Sequence, residues 1–170
     1  MKNQLTESPA RAKKRCMSEK KSGRPLQVKV ALLRYLHEMN RLAGDADLIA
    51  VLTKAANRVD VDTIDCFESI LNTSLDLGYR GPHLIGFVYE VLFDRFAARI
   101  RRRLATSRGG MNTADVEDLL GVTVEAVQNL IGNSNRARHT ITYALLLAIA
   151  DHRTIDYLRR KKPELTDQIE

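Results

Sequence analysis

Residues 140–162 read TITYALLLAIADHRTIDYLRRKK, and the change of character inside this stretch decides the fold. The first part, ITYALLLAIA, is apolar nearly all round, which suits a helix buried among other helices. The second part is amphipathic: Ile155 and Leu158 continue the inward stripe, while Arg153, Arg160 and, one position over, Asp156 and Arg159 face elsewhere. Four consecutive basic residues, Arg159 to Lys162, close the stretch, and Pro163 is predicted to stop the helix. A helix apolar on every side needs helical or sheet neighbours on every side, so the rest of the chain must supply them.

Upstream, Asn112 or Thr113 is predicted to cap a helix whose first turn carries Asp115, Glu117 and Asp118, acids that complement the positive end of the helix dipole. Its apolar stripe is Val116, Leu119, Leu120, Val124, Val127, Leu130 and Ile131. Gly121 and its β-branched neighbours make the middle a poor helix former. A longer amphipathic helix is predicted from Leu84, beyond the Gly81–Pro82 punctuation, with Phe87, Val91, Leu92 or Phe93, Phe96, Ile100 and Leu104 inward. Arg99, Arg101, Arg102 and Arg103 gather near its end, where cations suit the dipole.

Residues 25–80 form a smaller block of three predicted helices. Val28, Leu32, Leu33, Leu36 and Met39 repeat at helical spacing between Pro25 and Gly44. Asp45 is placed to cap ADLIAVLTKAANRV, and Asp62 or Thr63 to cap IDCFESILNTSLDL ahead of Gly78. No stretch shows sustained period-two alternation, so the fold class is all-α. The organisation expected is a basic arm over 1–24, the helical block 25–80, a three-helix domain 81–163 and a short tail 164–170.

The net charge of +6 resides in the arm: residues 1–24 hold eight Lys or Arg against two Glu, and the remainder carries equal numbers of each sign. With few large apolar residues the arm cannot offset the entropy of ordering and is expected to be disordered, available to a polyanion. The 44% of hydrophobic residues suffices for a core.

The order of the last three helices, with VEDLL at 116–120 and IADHRTIDYLRRKK at 149–162, resembles region 2 of bacterial RNA polymerase sigma factors, closest to the extracytoplasmic-function kind. The likeness covers about half the chain, from Leu84 to Lys162. It implies that the acidic-start helix docks on the RNA polymerase core through Glu117, Asp118, Leu119 and Leu120. It also implies that the last helix meets promoter −10 DNA through Tyr143, His152, Arg153, Arg159, Arg160, Lys161 and Lys162. The cations suit phosphate neutralisation, which fixes register without reading bases. Four positions depart from the family pattern. Gly121 and Val122 stand where a Gln–Glu pair contacts polymerase, Leu145 where a Trp is usual, and Asp151 where a base is common. The family's second domain, which reads the −35 element, has no counterpart before Glu170, so the expectation is either that a second protein supplies it or that this one binds DNA or polymerase without acting as a full initiation factor.

An alternative within the same fold is a non-catalytic helical module that regulates or competes with sigma factors. An enzyme is the weakest reading: His37, His83, His139 and His152 sit at no ligand spacing, and no cofactor or metal motif is present. Cys16 and Cys66 form no CxxC pair. No apolar stretch approaches the ~20 residues of a bilayer span, and none follows the basic start as a secretory signal requires, so a cytoplasmic location is expected.

Overall fold

The computed structural model describes residues 25–42, 45–106, 112–133 and 140–166, with side chains as far as Arg160. Its regular structure is helical: α1 (Val28–Arg41), α2 (Ala46–Ala56), α3 (Ile64–Asp76), α4 (Pro82–Ala105), α5 (Thr113–Gly132) and α6 (Tyr143–Thr166). The basic arm, Gly44 and the side chains of Lys161 and Lys162 lie outside the described residues.

The local signals for helix ends act as chemistry requires. Asp45 accepts the amides of Asp47 and Leu48 at the start of α2, at 2.9 and 3.3 Å. Thr63 accepts from Cys66 at the start of α3, and Asn112 from Ala114 at the start of α5. Pro82 occupies the first turn of α4, where its missing N–H has no partner to lose. Gly78 adopts φ +81° after α3. There the Tyr79 amide reaches the Ser74 carbonyl and the Gly78 amide that of Leu75, a Schellman ending that needs a residue free of Cβ strain.

Two helices begin with help from afar. At α1 the cap position is Gln27, whose side chain makes no capping bond. Asp62, just before α3, accepts the Lys29 amide at 2.9 Å, so the capping role falls to Thr63 at α3 and to Asp62 at α1. At α6 the local cap is Thr142, which accepts from Leu145. Glu68 on α3 accepts the Tyr143 amide at 2.6 Å, and the Asn72 side chain bonds both the carbonyl and the amide of Ile141 at 2.9 Å.

One apolar cluster runs through all six helices and across Gly81. The rings of Tyr35 and Phe87 stack at 5.5 Å, and Phe67 meets Phe87 at 5.7 Å, so α1 and α3 close on the first half of α4. Further along, α4 packs on α5 and α6 through Leu92, Phe96, Ile100 and Leu104. Leu92, rather than Phe93, takes the inward position; Phe93 is exposed and meets Tyr89 edge-on at 5.2 Å. The predicted stripe of α1 is corrected in the same way: Leu33 is exposed, and Ala31 and Tyr35 complete the buried face. Buried hydroxyls of Ser74, Thr123 and Thr154 each donate to the carbonyl four residues back, which lets them sit in the core without an unpaired polar atom.

Helix α6 departs from expectation at its end, since it continues through Pro163 to Thr166. Proline forfeits its own N–H bond, and helical φ suits its ring; one lost bond near a terminus does not stop the helix here. Its inward stripe is Leu146, Leu147, Ala150 and Thr154, with Tyr157 and Leu158 half-buried. Ile155, expected inward, is only half-buried because the row it shares with Asp151 lies at the flank. Among the described residues no helix is long and apolar enough to cross a membrane.

Candidate nucleic-acid interface

The directions of α4 and α6 follow from their contacts. Glu68 holds the first residue of α6, and its neighbour Phe67 lies on Phe87 near the start of α4. Asp151 pairs with Arg99 and Arg103 near the end of α4. Both helices therefore run toward the same end of the bundle. Beyond Asp151, α6 continues for about 22 Å at 1.5 Å per residue, while α4 stops within about 6 Å of the same level. The basic end of α6 runs on past the end of α4, and Arg159 and Arg160 are exposed there.

The exposed residues of α6 expected to meet DNA lie on one flank of the helix. His152, Arg153 and Asp156 join Leu145 and Ile149 along a groove against Ala126, Asn129, Leu130 and Asn133 of α5, with a volume of about 400 Å³. Arg160 is seven residues, close to two turns, from Arg153 and so continues that flank. Arg159, seven residues from His152, borders the groove as well and approaches Asp156 at 3.7 Å. Tyr143 is half-buried against the core, so its ring is not free to stack on a base. Leu145 is 41% exposed on the groove; it offers an apolar wall but no aromatic face.

Asp151 has a structural partner that its sequence position conceals. Its carboxylate accepts from Arg99 Nη1 and, at 3.2 Å, from Arg103 Nε, and its side chain is only 13% exposed. The acid standing where the family pattern has a base thus joins α6 to α4.

On α5, Leu119 and Leu120 are buried in the core, which removes them from any docking surface. Glu117, Asp118, Gly121, Val122 and Glu125 form the exposed stripe, and Val122 is 43% exposed. Gly121 lies on this outer face with open space where a Cβ would project, so neighbours do not require a glycine there.

Sequence reasoning missed Glu68 and Asn72, which fix the start of α6 from a helix some 70 residues earlier. Their i,i+4 spacing puts both on one face of α3, yet nothing local marks that face as a cap for another helix. Among the described residues no group of three metal-ligating side chains comes together. Burial raises the Cys66 thiol above its ordinary pKa, against a smaller opposing effect of Arg58. Comparison with known proteins finds no family model, no curated protein and no solved structure that matches.

Proposed function

We propose that the chain is a sigma-factor-like DNA-binding protein of transcription initiation, which binds the RNA polymerase core and promoter −10 DNA through its last three helices. The observation that carries this reading is the second half of α6, where Arg153, Arg159 and Arg160 are exposed on a helix anchored by α3, α4 and α5. A row of guanidinium groups on a rigid helix suits phosphate oxygens, because the planar fork meets them two at a time. The likeness of residues 149–162 to the family's −10 helix supplies the choice of promoter DNA, and VEDLL supplies the choice of polymerase.

A second reading, a helical module that regulates or competes with sigma factors, is favoured by three placements. Leu119 and Leu120 are core residues, Gly121 and Val122 occupy the exposed stripe of α5, and Tyr143 is turned against the core. Under this reading the chain keeps the shape and engages a partner without opening DNA.

Copurification with core RNA polymerase tests the first reading, together with salt titration of duplex DNA binding. Arg159→Ala with Arg160→Ala is expected to weaken DNA binding and lower the slope of log K against log salt by about 2, at about 0.9 per phosphate contact. Failure of the intact protein to retain core polymerase would sink the initiation role. Inhibition of promoter-dependent transcription, without support for it, would select the second reading.

A further inference from the structure

The arginines of α4 form a feature that neither helix shows alone. Arg99, Arg102 and Arg103 stand at i, i+3 and i+4 and therefore share one stripe. The pairing of Arg99 and Arg103 with Asp151 turns that stripe toward α6. Arg101, about 200° round the helix from Arg99, belongs to another side. On α6, Arg159 lies about 12 Å beyond Asp151 and about 80° round the helix from it, on the flank that faces the groove.

We propose that Arg99, Arg102 and Arg103 are a second phosphate-contacting row, separate from the Arg153, Arg159 and Arg160 flank, so that the backbone of duplex DNA is held by α4 as well as α6. This rests on the DNA-binding reading given above and names a further part of that site.

Three observations support the row. Its three guanidinium groups face one carboxylate, Asp151, which leaves a net positive strip. Asp151 takes one N–H from Arg99 and one from Arg103, and a guanidinium has five, so most donors remain for phosphate oxygens. The Arg99 and Arg103 side chains remain 39% and 49% exposed while tethered, and a tethered fork has less rotamer freedom to lose on binding. The helix dipole explains cations in the last turn of α4, but not Arg99, which lies further back, nor the shared pairing with Asp151 on another helix.

Fluorescence anisotropy of the full chain with a short labelled DNA duplex, titrated from about 50 to about 200 mM salt, tests the proposal. Arg102→Gln, which leaves both Asp151 pairs intact, is expected to lower the slope of log K against log salt by about 0.9, and Arg102→Gln with Arg103→Gln by about 1.8. Arg34→Gln, which removes an exposed guanidinium paired with Glu90 at the α1–α4 edge, is expected to leave the slope unchanged. Unchanged slopes in both α4 variants, beside a reduced slope in Arg159→Ala with Arg160→Ala, would overturn the α4 row and leave the DNA-binding reading standing. An intact protein that does not bind the duplex at low salt would overturn both.

Discussion

Replacing Asn72 by Ala tests whether the N-terminal helices hold α6 in place. The Asn72 amide group donates to the Glu68 carbonyl at 2.8 Å and to the Ile141 carbonyl at 2.9 Å, and its oxygen accepts the Ile141 amide at 2.9 Å. Alanine removes all three bonds and leaves a partly buried amide and carbonyl at Ile141 without those partners. At about 0.5–1.5 kcal/mol for each net hydrogen bond, the expected loss is about 2–3 kcal/mol. The bond to Glu68 lies within α3, so its loss contributes least. With an m-value of about 2 kcal/mol/M, the urea midpoint should fall by about 1 M at unchanged m. Hydrogen exchange gives the local readout: the Ile141 and Tyr143 amides should lose protection more than amides in the middle of α5. Asn72→Asp separates the two halves of the clasp, since its carboxylate still accepts from Ile141 but donates to nothing, and about half the loss is expected. A midpoint shift below about 0.2 M, with Ile141 exchange unaltered, would refute the idea that α3 anchors α6.

Gly121→Ala should stabilise the protein by about 1 kcal/mol, because the position is mid-helix, exposed and open where the new Cβ would sit; thermal melting checks this, and a lowered midpoint would contradict it. Asp151→Ala should destabilise by about 1 kcal/mol, a modest figure because both arginine partners are substantially exposed and solvent screens the pair. Urea unfolding measures that loss, and a drop of several kcal/mol would mean that Asp151 is held more tightly than its surroundings indicate. Burial raises the Cys66 pKa, so at pH 8 its thiolate fraction is below that of a free cysteine. Alkylation of Cys66 in the folded chain should therefore be slower than in urea and gain rate as pH rises, a difference readable by mass spectrometry of the Cys66 peptide.

The sequence alone determined the fold class and most helix starts, because those are set by contacts within a few residues. Asp45, Thr63, Asn112 and Pro82 each act on their own first turn, and Gly78 on the turn just before it, so local chemistry suffices to place them. Apolar periodicity likewise identified the main inward faces, but it could not choose between Leu92 and Phe93, nor exclude Leu33, because neighbouring positions on a broad stripe differ only in which helix arrives to cover them. The exposed cations of α6 were legible for the same reason: a charged end facing away from an apolar stripe is a property of one helix.

Tertiary structure decided what depends on residues far apart in the chain. Asp62 caps α1, Glu68 and Asn72 hold the start of α6, and Asp151 joins Arg99 and Arg103, across separations of 33 to 75 residues. No periodicity carries such pairings, since each partner alone is an ordinary polar residue on a helix flank. Only the packing of α4 and α6 toward the same end of the bundle brings Arg99 and Arg103 of one onto Asp151 of the other. Local hydrogen-bond geometry made the helices, while the shared burial of their apolar faces set which charges meet.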